Sequence, residues 1–352
     1  MEGDRADLER PQAFVTRIGI DARRGRQISV GMRTYIEETS LRLPQVAPDF
    51  DFRIYTQGEQ LAPVEQFMVP LRMWRDGVDL AHYMSHYVPL FASGPFVLTI
   101  HDLIHLRYPE MHKRTVGPYY AMVVKPACHR AARVITSDER TVADLVELLE
   151  LDPGKIRVVP LAPRARFFTQ AQPFAAPRPY LINVGNHRLH KDLATLLRAW
   201  STLPRSAEID CYFTGPDDFG GELQRLSTPY RRAIALGDVD DDALASYYAG
   251  AFALVHPSLL EGFGLPFVEA MAQGCPVIAT TTSIPSPVAP AALMFAPRDV
   301  DGARAQIERL LDDQALRTTL VERGREAARA LTWERTARET AAVYREIVEG
   351  RR

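Results

Sequence analysis

Two glutamates separated by seven residues, Glu261 and Glu269, sit in the stretch 256–280, HPSLLEGFGLPFVEAMAQGCPVIAT. The stretch reads as a strand end, a glycine-bearing loop, a short helix, a tight stop and another strand. Pro266 suits a first helical position, where its missing N–H costs nothing. Gly274 suits the residue past the end, where a left-handed backbone is needed. The loop therefore aims the free N–H groups of Phe263, Gly264 and Leu265 at the space above the helix N-terminus, which the helix dipole makes attractive to an anion such as phosphate. Carboxylates beside a phosphate pocket cannot serve the phosphate, because like charges repel. Accepting hydrogen bonds from sugar hydroxyls is the simplest remaining task for them.

A second candidate is the loop in YLINVGNHRLHKDLATLL, residues 180–197. Its strand ends at Gly185 and its helix starts near Asp192, leaving Arg188 and Lys191 at a strand edge beside a helix N-terminus, where two cations can hold a diphosphate. His101 and Asp102 close the apolar strand FVLTIHD, on the crevice side of an open sheet. His82, His86, His105 and His112 read as local structure. Asp238, Val239 and Asp240 form an Asp-x-Asp that could hold a divalent metal, but acidic residues starting a helix need no metal to explain them. Asp217 and Asp218 read as turn chemistry. GxGxxG, GxSxG, HExxH and Walker motifs are absent from the sequence, so the usual dinucleotide, hydrolase, zinc-protease and ATPase readings fall away.

The elements that must position these groups alternate strand and helix. From Thr16 a buried strand leads into a basic, glycine-containing loop through Arg23, Arg24, Gly25 and Arg26 to Gly31, then a helix over 32–43. Strand candidates recur at 52–56, 78–84, 96–102, 133–137 and 155–161, with a long helix over 115–132 and another over 141–149. A proline-rich connector at 160–179 disfavours helix and central strand alike. Beyond it, a second alternating set contains a helix N-capped by Asp240, and three helices follow Asp299, the last starting at Trp333. The expected fold is α/β, two Rossmann-like domains facing across a cleft: 1–165, and 175–333 for the second.

With 352 residues and 46% hydrophobic content, the chain can bury two cores. Its formal net charge of -2 argues against nucleic acid as main partner. Cys128, Cys211 and Cys275 lie far apart, without disulfide or zinc spacing. The charged start, MEGDRADLERPQAF, lacks the apolar run of a signal peptide, and no stretch approaches the roughly twenty apolar residues of a membrane helix. A cytoplasmic enzyme is expected.

EGFGLPFVEAMAQGCPV, HDLIHLRYPE (101–110), ITSDERTVADL (135–145), KIRVVPLAP (155–163) and VGNHRLHKDLATLLRAW (184–200) together resemble the GT-B glycosyltransferases of family four, in a mannosyltransferase-like branch. The resemblance spans about 18–344. It implies a retaining transferase that moves a hexose, mannose-like by first expectation, from a nucleotide diphosphate sugar, a GDP sugar first. The acceptor would be a glycan or lipid-linked hydroxyl, with no metal and no cofactor beyond the donor. By resemblance, Glu269 binds ribose hydroxyls, Glu261 holds the transferred sugar, and the backbone at Phe263, Gly264 and Leu265 meets diphosphate or sugar. Lys191 matches the phosphate-binding lysine, and Arg188 stands in for an arginine replaced by Asn186 after Gly185. His101 matches a histidine near the donor sugar, and Gly31 a glycine approaching the diphosphate. The backbone near Gly237 and Val239 reads the base, and a terminal helix over about 334–352 returns to the first domain. Two departures stand out: VGMRT lacks a second glycine, and Ser286 occupies a position commonly acidic.

An epimerase or phosphorylase on the same fold, or a non-catalytic nucleotide-sugar-binding subunit, are the alternatives. Lys113, Arg114, Lys125, Arg130 and Arg133, interleaved with Tyr119, Tyr120, Met122 and Val123, suggest peripheral contact with the inner membrane face, against the plainer reading of a partly buried helix.

Overall fold

The computed structural model describes residues 15–25, 28–60, 62, 64–92 and 94–351. The N-terminal stretch read against a signal peptide, and Arg26 of the basic loop, lie outside the described residues. Two six-stranded parallel sheets organise the chain. The first comprises β1 (Arg17–Asp21), β2 (Asp51–Tyr55), β3 (Leu80–Tyr83), β4 (Phe96–Thr99), β5 (Arg133–Thr136) and β6 (Ile156–Val158), ordered β2-β1-β3-β4-β5-β6. The second comprises β7 (Tyr180–Asn183), β8 (Asp210–Phe213), β9 (Ala233–Ala235), β10 (Ala253–His256), β11 (Val277–Thr280) and β12 (Leu293–Phe295), ordered β12-β11-β10-β7-β8-β9. Strands such as Ala253–His256 are buried along their whole length, as a parallel strand covered by helices on both faces must be.

Order reverses between β1 and β3 in one sheet and between β7 and β10 in the other. Such switch points open a crevice at the carboxyl ends of the strands. The loops after β7 and β10, carrying Lys191 and Glu261, leave from the second crevice. The side chain of Asn183 in β7 donates to the Val255 carbonyl of β10 at 2.8 Å, and the Leu259 amide donates to the His190 carbonyl at 2.8 Å, so the loops diverge from a fixed base.

The terminal helix, Trp333–Glu349, packs against the helix Val30–Val46 of the first domain. A buried polar chain fastens it: Tyr344 Oη to His82 Nδ1 at 2.6 Å, His82 Nε2 to Thr99 Oγ1 at 2.8 Å, and Thr99 Oγ1 to Tyr35 Oη at 3.0 Å. Glu346 adds ion pairs to Arg133 at 2.6 Å and Arg157 at 2.5 Å.

The helix expected over 115–132 runs without interruption over 116–130, with a five-residue π turn, Tyr120–Val124, between Val116–Tyr119 and Lys125–Arg130. Pro126 is the cause, since it offers no N–H to the carbonyl four residues back and its ring crowds that carbonyl. Arg23, in the basic loop, is turned inward. It is fully buried, bonded to Asp21 at 2.7 Å through both Nε and Nη2, and lies 3.5 Å from Glu65. Arg24 is likewise paired, with Glu37.

Candidate functional site

The helix Leu265–Gln273 is bounded as its sequence requires. Gly264 precedes it with φ +84°, and a Cβ there would fall 2.4 Å from the Phe267 ring, so only glycine fits. Gly274 ends it with φ +81°, and Pro266 lies in the first turn. The N-terminus of this helix faces the other domain: a Cβ built on Gly31, at the start of Val30–Val46, would lie 3.8 Å from Leu265 Cδ1. Gly31 and the Phe263–Gly264–Leu265 backbone thus border one space.

Lys191, Glu261 and His256 form the polar centre beside it. Lys191 Nζ lies 2.5 Å from Glu261 Oε1, and His256 Nε2 lies 2.8 Å from the same oxygen. Burial alone would push the Glu261 carboxyl up, but the Lys191 ammonium and the His256 contact hold it well below the usual range. His256 was not singled out from sequence. Its signal was present, because it ends the strand that delivers Glu261. Lys191 is held near Gly185, whose φ of +141° turns the chain out of β7.

Glu269 lies elsewhere on the same helix, buried. Desolvation raises its carboxyl to about 8, Asp241 adds to the rise, and Arg164 opposes it. Arg164 bridges the domains, with Nη1 2.5 Å from Asp241 and Nη2 2.6 Å from Thr34 Oγ1 of the first. The two glutamates therefore differ in electrostatics: Glu261 is anionic and Glu269 substantially protonated near neutrality.

His101 closes the site from the first domain. It is buried, stacks edge-on against Tyr35 at 4.7 Å, and burial lowers its ring to about 4. Its Nε2 is buried without a hydrogen-bond partner among the described residues. A Cβ on Gly262 would fall 2.9 Å from the His101 carbonyl and 3.2 Å from Asp102 Oδ2, so the domains touch at that glycine. Arg188 is exposed, forms no ion pair among the described residues, and lends its positive field to Tyr87, His105 and His112 across the cleft. Gly237 is bonded through both N–H and C=O to Gly215, at 3.0 and 2.8 Å, which leaves the next residues, up to half-buried Val239, to present free backbone.

Asp240 caps its helix by accepting from the Ala243 amide at 2.8 Å. Asp218 pairs with His187 at 2.5 Å, and Asp217 accepts from Gln224 at 2.9 Å. Ser286 meets the first domain: its N–H donates to Asp138 Oδ2 at 2.8 Å, and its hydroxyl lies 3.3 Å from Oδ1. Asp138 is buried and held by Arg140 at 2.6 Å. An acid at 286 would meet a buried carboxylate, so the Ser286 departure matches its partner. His86, His105 and His112, read from sequence as local structure, lie together beside His190.

Two family descriptions match this chain: Glycosyltransferase Family 4 over residues 32–162, and Glycosyl transferases group 1 over 166–327. Among curated relatives, the O-antigen chain mannosyltransferase B of Escherichia coli is 28% identical over 332 residues, covering 86% of this chain and 87% of the relative. The MMP alpha-(1->4)-mannosyltransferase of Mycolicibacterium hassiacum is 27% identical over 276 residues, covering 72% of this chain and 66% of that one. Among solved structures, sucrose-phosphate synthase from Thermosynechococcus elongatus superposes with a TM-score of 0.75 at 21% identity, covering 95% of this chain and 100% of the other. Anabaena HepE in complex with UDP-glucose superposes at 0.71, with 16% identity and 94% and 99% coverage.

Proposed function

Because this chain belongs to the family-four glycosyltransferases of the GT-B fold, we propose that it transfers a mannose-type hexose from a nucleoside diphosphate sugar to a glycan hydroxyl with retention. The observation that carries this reading is the Lys191–Glu261–His256 centre beside a helix N-terminus, faced by Gly31 and His101 of the other domain. Lys191 and the N-terminal amides of Leu265–Gln273 supply positive charge for a leaving diphosphate without a metal. Glu261, kept anionic, accepts hydroxyls of the transferred sugar. Glu269 meets the ribose.

In this mechanism the bond from the anomeric carbon to the diphosphate oxygen breaks through an oxocarbenium-like state. The acceptor oxygen bonds to the same carbon from the same face, and its proton passes to the departing phosphate oxygen. His101 and the closed wall at Gly262 exclude water. A thermal-shift screen with GDP, UDP, dTDP and ADP sugars identifies the donor, a GDP sugar being expected first. Proton NMR of the product then reads the anomer. An inverted product would overturn the mechanism, and loss of transfer in EDTA would overturn its independence of metal.

For peripheral membrane contact, the helix 115–132 region offers less than its composition suggested, since Arg133 pairs with Glu346, Lys125 pairs with Glu150 at 2.9 Å, and Tyr120 is buried. A different face fits an anionic lipid surface better. Val64, Phe67, Leu71 and Trp74 form an exposed stripe along Glu65–Arg75, and Phe91 stacks on Phe67 at 4.3 Å. Arg75 lies at the end of the stripe, 3.4 Å from Asp76 but itself largely exposed, and Arg130 approaches the Ala92 carbonyl next to Phe91. Such an apolar face with a cationic rim suits the headgroup boundary. Co-sedimentation with vesicles of phosphatidylglycerol and phosphatidylcholine, lost in Phe67→Glu/Trp74→Glu, is the expected result. Equal recovery with pure phosphatidylcholine would overturn the assignment.

A further inference from the structure

Arg164, in the proline-rich connector, has no part in the donor chemistry described above, yet its two terminal nitrogens reach different domains. Nη1 lies 2.5 Å from Asp241 Oδ2 and Nη2 lies 2.6 Å from Thr34 Oγ1. We propose that Arg164 is a positioning residue for donor binding, a strut that ties the base-reading segment of the second domain to the N-terminal end of Val30–Val46 and so sets Gly31 against the diphosphate. The assignment rests on the donor reading above.

What each partner is joined to is the first argument. Asp241 opens the helix Asp241–Gly250, and the residues just before it are the free backbone that follows Gly237. The N-cap task is filled by Asp240, which accepts from the Ala243 amide, so the Asp241 carboxylate is left to take Arg164. On the other side the Thr34 hydroxyl accepts from Arg164 and donates to the Val30 carbonyl at 3.1 Å. Gly31 is the residue after Val30, and it borders Leu265 at the mouth of the donor space. One guanidinium therefore holds both ends of that space.

The connector's own anchoring is the second. Gln273 Nε2 donates to the carbonyls of Phe167 at 2.7 Å and Thr169 at 2.8 Å, and Arg166 pairs with Asp242. The chain just beyond Arg164 thus moves with the second domain, and the bond to Thr34 crosses to the first. Thr34 is 2% exposed, so this bond is shielded from water in a way that the half-exposed Asp241 pair is not. A planar fork with separate nitrogens suits such a span, whereas an exposed ion pair alone contributes little.

Proximity to the ribose contact is the third. The charged and titratable groups that bear on Glu269 are Asp241 and Tyr248, from one helix, and Arg164. Asp241 raises the Glu269 carboxyl and Arg164 opposes the rise. Removing the guanidinium takes away the opposing charge and also leaves Asp241 unpaired. Ionisation of Glu269 then moves to higher pH.

The test is titration calorimetry on the full chain with GDP, UDP, dTDP and ADP, the tightest binder being carried through Arg164→Met, Thr34→Val and the double variant. Thr34→Val keeps the side-chain shape and removes only the hydroxyl. Each single variant should weaken binding about tenfold, as loss of one charge-assisted hydrogen bond implies. The double variant should bind no more weakly than Arg164→Met, because both substitutions break the same link. Arg164→Met should also shift the rise of affinity with pH upward, while Thr34→Val leaves it in place, a split that a merely structural role would not produce. Additive losses, or a pH shift shared by both variants, would overturn the proposal. An unmoved affinity in Thr34→Val overturns it alone, even where Arg164→Met does not fold. A wild type that binds none of the four nucleotides would sink the donor reading and this role with it, whereas a binding wild type with any of those variant results sinks this role only.

Discussion

Glu269 offers the most direct physical test. Its carboxyl is raised to about 8 by burial first and Asp241 second, against an ordinary value of 4.5. A carboxyl whose folded value is raised holds a proton that the unfolded chain has already lost. Between pH 4.5 and 8 this carboxyl therefore holds about one more proton in the folded state, and its contribution to stability falls as pH rises through that window. The slope is about 1.4 kcal/mol per pH unit, or roughly 3 kcal/mol between pH 5.5 and 7.5. Glu269→Gln removes the titration. In urea unfolding of the ligand-free enzyme across this range, the wild type should lose about that amount of stability relative to the variant. The buried histidines His82, His86, His101 and His190, all lowered by burial, act the other way, because the unfolded chain binds their protons up to about pH 6.5, so the comparison between wild type and variant carries the test. The same group gives a second readout. Ribose hydroxyls donate best to the ionised form, so nucleotide affinity should rise from pH 7 to 8 and level above it. This lies above the second phosphate ionisation near 6. Titration calorimetry with the selected nucleoside diphosphate measures it. Parallel stability profiles for wild type and Glu269→Gln would refute the electrostatic reasoning, and a pH-flat wild-type affinity would refute the ribose contact.

Lys191→Met should destabilise the fold by about 3 kcal/mol, the cost of leaving Glu261 buried with one partner lost, and should abolish measurable transfer. Unfolding midpoints and product formation check both. In Gly262→Ala the added methyl would press on the His101 carbonyl, so nucleotide affinity should hold while transfer drops about tenfold or more, a split visible in kcat. Ser286→Asp places a carboxylate against buried Asp138 and should cost about 2–4 kcal/mol, whereas Ser286→Ala should cost about 1 kcal/mol, both read by urea unfolding.

The two sheets were legible in the sequence because parallel strands buried on both faces appear as short apolar runs, such as VIAT at β11, punctuated by glycine and proline. Glu261, Lys191 and the bounds of Leu265–Gln273 were legible for a local reason: Pro266, Gly264 and Gly274 each fit a backbone conformation visible in the sequence. What local pattern cannot carry is a partnership between distant residues. His256 touching Glu261, Ser286 touching Asp138, and Arg164 joining Asp241 to Thr34 depend on loops that meet only after both sheets have formed. The grouping of His86, His105 and His112 with His190 was not legible for the same reason, since its members come from separate loops and His190 from the other domain. The π turn ahead of Pro126 was not legible, because the apolar periodicity on either side continues through it.

The Lys191–Glu261 contact makes recognition of an intact donor cooperative under the proposed roles. A diphosphate that draws Lys191 toward itself removes the nearest cation from Glu261, leaving a buried carboxylate with His256 as its remaining partner. A bare nucleoside diphosphate bears that cost without compensation. A nucleoside diphosphate sugar supplies hydroxyls that donate to the same carboxylate and restore its bonding. The enzyme should therefore prefer the complete donor over its nucleotide product by more than the sugar's surface alone provides, and Glu261→Gln should narrow that preference by relieving the product complex. Product is then the weaker ligand as soon as the sugar has left, which favours release after each transfer.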